Sequence, residues 1–173
     1  VIHLDLNGFD FSSLAAVKNS LIRLMKEAAV YHNLTLKETS PDNMFREIIS
    51  TLSLQQNVVI LLDEYDKPIL NNIGKAEISD VLTCMKSFYS VIKAFESKLR
   101  FAFITGVSKF CHVSLFSDLN NLTDISMDAR NATMFGYTQE ELEANFGDRI
   151  SALVGEQDID AYKAKIKDWY NGY

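Results

Sequence analysis

Asn57-Val-Val-Ile-Leu-Leu-Asp-Glu-Tyr-Asp-Lys-Pro68 is the stretch on which the reading of this chain turns. Val58 to Leu62 are apolar, rich in β-branched residues, and run straight into Asp63 and Glu64. An apolar run this short reads as a strand buried on both faces. Such strands belong to parallel sheets, whose ligands bind outside the carboxyl ends. Asp63 and Glu64 stand at that end. This is the pattern of a Walker B strand, with Asp63 to hold Mg²⁺ and Glu64 to orient and activate a water. The competing reading is a core strand followed by a solvated acidic loop. Asp66 and Lys67 follow at once, and solvation or pairing at a helix end is expected of both.

Outward from this strand, the sequence alternates. Val1-Ile-His-Leu-Asp-Leu6 reads as a short strand ended by the turn signal Asn7-Gly8. Leu14, Val17, Leu21, Leu24, Met25 and Ala28 recur at helical spacing, so a helix is expected over about 13–32. Ser40-Pro41 opens a second helix, with Met44, Phe45, Ile48, Ile49 and Leu52 as its buried stripe. Beyond Pro68 a loop leads to a long helix over about 76–97, whose Val81, Met85, Phe88, Tyr89 and Ile92 are spaced as core. Arg100 to Gly106 reads as another strand, 109–120 as a mixed segment, and Asn121 to Met127 as a last, weaker strand. Thr138-Gln-Glu-Glu141 is a capping box for a helix to about 146. A final helix is expected over about 158–170, with Asn171-Gly172 as C-cap and Trp169 packed on the body. Strands alternating with helices argue for an α/β parallel sheet.

The strand over 100–106 ends in Thr105 and Gly106, with Ser108 just beyond. Hydroxyls beside the Asp63-Glu64 crevice occupy the sensor position of ATPases with an extra strand, where they feel the γ-phosphate. The competing reading is an ordinary strand-to-loop turn. Arg130, after the last expected strand, is a candidate phosphate-facing arginine, with a surface salt bridge as the alternative. No Gly among the seven begins G-x-x-x-x-G-K-[ST], so the phosphate cradle is not in this sequence. A nuclease pattern fails too: Asp66 stands two residues after Glu64 where a Lys is needed. His3 and His112 read as packed or solvated histidines.

Composition narrows the classes. The 173 residues carry a net charge of −6, which argues against a broad nucleic-acid-binding face. Cys84 and Cys111 form no metal-binding spacing with the three histidines and read as buried free thiols of a cytoplasmic protein. No apolar run approaches the ~20 residues of a membrane span.

Several blocks together resemble the bacterial AAA-ATPase-like family: VIHLDLNGFDFSS (1–13), VVILLDEYDKPIL (58–70), FYSVIKAFESKLRFAFITGVSKF (88–110), LFSDLNNLTDISMDARNATMFGYTQEEL (115–142) and WYNGY (169–173). In such proteins a strand, the Walker A loop and its helix come first, and a restriction-endonuclease-like nuclease region often follows. Neither is in this sequence, and its ends look cut, so a piece of a longer protein is expected. The resemblance implies an α/β fold: a parallel-sheet P-loop NTPase core of the additional-strand type, strand order 5-1-4-3-2, plus a small C-terminal helical region. Residues 1–6, 58–63, 101–106 and 121–127 become strands 2 to 5. Strand 1, between strands 4 and 5, is missing. Strand 4 is then an exposed edge, or the last strand is displaced, or a neighbouring chain fills the gap. Residues 1–135 form the partial core, and 136–173 its helical extension.

The implied function is the Walker B and sensor half of an ATP-hydrolysing domain. Asp63 ligands Mg²⁺ through water, Glu64 is the general base, Thr105 and Ser108 sense the γ-phosphate, and Arg130 completes the phosphate contacts. ATP and Mg²⁺ are expected only with the Walker A segment present. The alternative is a nucleotide-gated switch or protein-interaction module with little hydrolysis; a degenerate core without nucleotide binding is a blander third. Expected partners are the nucleotide and a protein, or a second copy, at the exposed sheet edge, with no membrane and no direct nucleic acid.

Overall fold

A computed structural model describes residues 1–107, 121–134, 136–155 and 158–170. Ser108, the mixed segment 109–120 with Cys111 and His112, and the Asn171-Gly172 cap lie outside the described residues. The chain divides into two compact units, Val1–Leu122 and Thr123–Tyr173.

The first unit is α/β. Strand β1 (Ile2–Asp5) leads through helices α1 (Leu14–Tyr31) and α2 (Pro41–Leu52) to β2 (Val58–Asp63). A single turn, α3 (Lys67–Leu70), and helix α4 (Ile78–Ala94) then lead to β3 (Leu99–Ile104). The three strands are parallel, in the order β1-β2-β3. Parallel neighbours need long crossovers, which is why helices fill both connections.

The helices form where the periodicity puts them. Ser13 caps α1, its hydroxyl accepting from the Ala16 N–H. Pro41 sits in the first turn of α2, where its missing N–H costs nothing. Val17, Leu21, Leu24 and Met25 of α1, Met44, Phe45, Ile48 and Ile49 of α2, and Val81, Met85, Phe88, Tyr89 and Ile92 of α4 share one core. Phe45 and Phe88 stack at 5.1 Å between centroids.

That core meets one face of the sheet. Ile2, Leu4, Val58, Ile60 and Leu62 are buried in it, whereas Val59 and Leu61 are half-buried and His3 and Asp5 exposed. The expectation of a strand buried on both faces is corrected here: β2 alternates, because the described helices cover only the side to which Val58, Ile60 and Leu62 point. On the opposite side Phe101 and Phe103 of β3 stack on each other, and Phe101 is 53% exposed.

The second unit holds α5 (Gln139–Val154) and α6 (Ile159–Tyr170). The capping box forms, with Glu141 N–H on the Thr138 hydroxyl at 3.2 Å and Thr138 N–H on Oε2 of Glu141 at 2.9 Å. The helix runs through Gly147 and stops at Gly155, whose φ of 72° ends it, rather than near 146. Lys163 bridges α6 to Glu143 of α5 at 3.0 Å. Residues 121–127 form no strand. Asp124 Oδ1 accepts from Ser126 N–H at 2.9 Å and Ile125 O from Asp128 N–H at 3.1 Å, so local turns take the groups a ladder would need. Trp169 of α6 is 72% exposed. Among the described residues no helix is long and apolar enough to cross a membrane.

The shared core makes a quantitative demand. Phe45→Ala should cost about 3–5 kcal/mol, from lost burial and the cavity left against Phe88. Leu54→Ala, at an 82% exposed position, should stay within about 0.5 kcal/mol. Urea unfolding of the two variants checks this; similar losses would contradict the packing.

Candidate functional site

The carboxyl ends of three parallel strands meet in one place. Asp5 closes β1 in register with Asp63, the last residue of β2. Leu62 of β2 stands in register with Ile104 of β3, which puts Thr105 beside Asp63. Backbone pairing continues past the strand ends: Leu6 N–H donates to Asp63 O at 3.2 Å and Thr105 N–H to Leu62 O at 2.9 Å.

Asp63 is exposed and its Oδ1 is doubly engaged. It accepts the Thr105 hydroxyl in a short hydrogen bond and the Glu64 N–H at 3.0 Å. Among the described residues Oδ2 has no partner. The next residue, Glu64, has φ of 57°, the left-handed region that non-glycine residues rarely enter. That conformation breaks the strand abruptly and starts the turn into α3. Its cost is on the order of 1 kcal/mol, so neighbours must hold it.

Those neighbours are well defined. Tyr65 N–H donates to Thr105 O at 3.1 Å, and Tyr65 O accepts the buried hydroxyl of Tyr89 on α4 at 2.7 Å. Burial pushes the Tyr89 phenol well above its ordinary range, with the nearby Asp66 charge adding to the effect, so the hydroxyl stays a donor. Asp66 is fully buried, and its Oδ1 accepts Val107 N–H at 3.3 Å. The expectation of a solvated Asp66 is therefore corrected: the turn after Glu64 swings it inward, under β3. Gly106 permits this closeness. A Cβ there would stand 2.5 Å from the Tyr65 ring and 2.7 Å from Asp66 Oδ1.

The loops after β1 and β2 are tied side by side. Lys67 Nζ donates to Asn7 Oδ1 at 2.6 Å, so Lys67 is paired between loops. Asn72 is fully buried, and its amide donates to Phe11 O and Pro68 O, each at 2.7 Å. Lys75 Nζ donates to Ser12 O at 2.7 Å. Glu77 Oε2 accepts Leu14 N–H at 3.0 Å, capping the first turn of α1 from another helix.

The structure thus brings Asp63, Glu64 and Thr105 together. Ser108 lies outside the described residues. Arg130 stands in the second unit, where its guanidinium holds Asp128 of the same turn at 2.6 Å and the arginine side chain is 87% exposed. The Asp128 carboxyl is held below its ordinary range by that bond. Sequence reasoning missed Asp5, Asp66, Asn72 and Tyr89. Asp5 had a signal, since Ile2-His-Leu-Asp5 repeats the apolar-run-then-carboxylate form of β2. The other three depend on partners tens of residues away.

A Mg²⁺ here would meet Asp63 on a strand end, with Asp5 in register beside it. Among the described residues no group of three or more His, Cys, Asp or Glu side chains could enclose a metal. One protein carboxylate, with phosphate oxygens and waters completing an octahedron, suits Mg²⁺. The residues present fit a metal that arrives with its nucleotide.

The family model described as a predicted AAA-ATPase matches residues 1–116. An uncharacterized protein in the vnfD 5′ region of Azotobacter chroococcum mcd 1 is 44% identical over 119 residues, covering 68% of this chain and 22% of that protein. The chain thus spans about a fifth of the length of the curated relative it matches. No solved structure matches. The chain belongs to the predicted AAA-ATPase family.

The left-handed turn can be tested without any nucleotide. Glu64→Gly should be more stable than Glu64→Ala by about 1 kcal/mol, because only glycine enters φ of 57° freely. Chemical denaturation compares them; an alanine variant as stable as the glycine one would remove the strain.

Proposed function

We propose, from the premise of that family membership, that this chain is the Walker B and sensor half of an ATP-hydrolysing domain. One observation carries the reading: the Thr105 hydroxyl bonded to Asp63 at the carboxyl ends of adjacent parallel strands, with Glu64 next in the chain. Phosphoryl transfer asks little covalent chemistry of a protein; it asks for a metal ligand, a water-orienting base and a polar group at the γ-phosphate. Asp63, Glu64 and Thr105 supply those three, in that order. Mg²⁺, when bound with ATP, neutralises the phosphate oxygens.

On this reading Asp63 holds the metal through water, its Oδ1 fixed by Thr105 and Glu64 N–H and its Oδ2 toward the ligand. Glu64 draws the proton from the attacking water. Thr105 links the metal ligand to the γ-phosphate, and Ser108 follows on the same segment. Arg130, in the second unit with its guanidinium on Asp128, stays a candidate phosphate contact. The order β1-β2-β3 supports strands 2, 3 and 4 of an additional-strand P-loop sheet, with β3 as the strand that would adjoin the phosphate-loop strand. The absence of G-x-x-x-x-G-K-[ST] from the sequence supports a half-site that binds nucleotide only when joined to its cradle.

In the full-length protein, Glu64→Gln should lower kcat for ATP hydrolysis by about 100-fold or more while ATP affinity stays within a few-fold, as expected of a lost general base. Turnover assays and equilibrium nucleotide binding report the two effects. Bound ATP with negligible turnover, unchanged by Glu64→Gln, would sink hydrolysis and leave a nucleotide-gated switch.

A further inference from the structure

Tyr65 is held on both of the peptide links that flank it. Its N–H goes to Thr105 O on β3, at 3.1 Å, and its C=O receives the Tyr89 hydroxyl from α4, at 2.7 Å. Its ring lies where a Cβ on residue 106 would be. The residue before it is Glu64, in the left-handed conformation. Two successive peptides are thus fixed, Glu64–Tyr65 by Thr105 O and Tyr65–Asp66 by the Tyr89 hydroxyl, and only Tyr65 φ and ψ lie between them, so the fixation reaches Glu64 through one residue.

From this geometry we infer that Tyr89 is a positioning residue for ATP hydrolysis, acting from α4 through Tyr65 to keep Glu64 in its left-handed conformation and so aimed at the attacking water. The inference rests on the hydrolysis reading above. Tyr89 touches no reacting atom: it is fully buried, between the Phe88 ring at 5.6 Å and the Tyr65 carbonyl. Its hydroxyl is the group that matters. The ring fills core volume that phenylalanine would fill equally, whereas the hydroxyl donates to Tyr65 O, in the turn that carries the base. Asp66 and Gly106 support the same turn from β3, through Val107 N–H and the missing Cβ. Without the Tyr89 bond, Glu64 is free to relax toward ordinary backbone, and its carboxylate leaves the line of attack.

The test has two readouts in the full-length protein. The first needs no nucleotide. In Tyr89→Phe, hydrogen exchange at the Tyr65 amide should quicken by about tenfold or more, because the turn opens locally, while amides in β1 stay protected. The second is kinetic. Tyr89→Phe should lower kcat by roughly ten- to a hundredfold with ATP affinity within about twofold, a misplacement effect. In a Glu64→Gln background it should cause no further loss, because the group it aims is already gone. A purely structural tyrosine would lower kcat by the same factor in both backgrounds, and that result overturns the inference. So does an unchanged exchange rate at Tyr65. Should Tyr89→Phe fail to fold, Gly106→Ala displaces the Tyr65 ring from the β3 side and is held to the same non-additivity. Wild-type protein that binds ATP without turnover overturns the hydrolysis reading, and is told apart because Glu64→Gln then has no effect either.

Discussion

Everything at the site depends on β2 being paired on both sides by parallel neighbours. A central parallel strand has its carboxyl end between the carboxyl ends of its partners. Register fixes which residues meet there: Asp5 against Asp63, and Ile104 against Leu62, with Thr105 one step on. The backbone bonds from Leu6 to Asp63 O and from Thr105 to Leu62 O carry this order a residue past the strands. The hydroxyl of Thr105 reaches Asp63 because a sheet places it there, and burial of Val58, Ile60 and Leu62 holds the sheet in register. A slip of one residue would turn that apolar set out of the core, so the register is strongly specified.

A second constraint acts just beyond the sheet. The chain must leave β2 and turn at once, and it does so through a non-glycine residue at positive φ. Such strain persists only where the surroundings over-determine it. Here they do: α4 supplies the Tyr89 hydroxyl, β3 supplies Thr105 O and Val107 N–H, and the β1 exit loop supplies Asn7 and Phe11 O. Three parts of the chain, α4, the segment after β3 and the loop after β1, thus hold the turn and the short helix that follows it. A site assembled this way is stiff without being deep, which suits groups that must be aimed more than enclosed.

The sequence was legible where periodicity or a local signal decides structure. The three helices of the first unit, their buried stripes, the strands and the capping box at Thr138 follow from spacing and caps within a few residues. That Asp63, Glu64 and Thr105 meet was legible because an apolar run that ends in polar residues marks a strand's carboxyl end. What escaped depends on distant partners. Asp66 looks solvated among charged neighbours, yet the turn of Glu64 carries it inward beneath Gly106. Tyr89 reads as one more aromatic on a core face, and nothing local shows that its hydroxyl meets Tyr65 O. The stretch 121–127 failed the other way. Its composition allows a strand, but its Asp124 and Ser126 close a local turn instead. Likewise Gly147 resembles a helix stop, while the helix continues to Val154 and buries Ile150 within its last turns.

Charge bears on the proposed reading. Asp5 and Asp63 are adjacent, Glu64 follows, and Lys67 close by is already bonded to Asn7. Among these groups the balance is acidic, so a bare polyphosphate would be repelled. A divalent cation would reverse that sign, since carboxylates attract it and its remaining positions suit phosphate oxygens and waters. On the proposed reading the nucleotide would therefore be recognised as its magnesium complex or after the metal, and binding should need the cationic lysine of a phosphate loop to offset what one cation leaves uncompensated. On that reading these strand ends would contribute aim and metal affinity, and phosphate affinity would come from the loop.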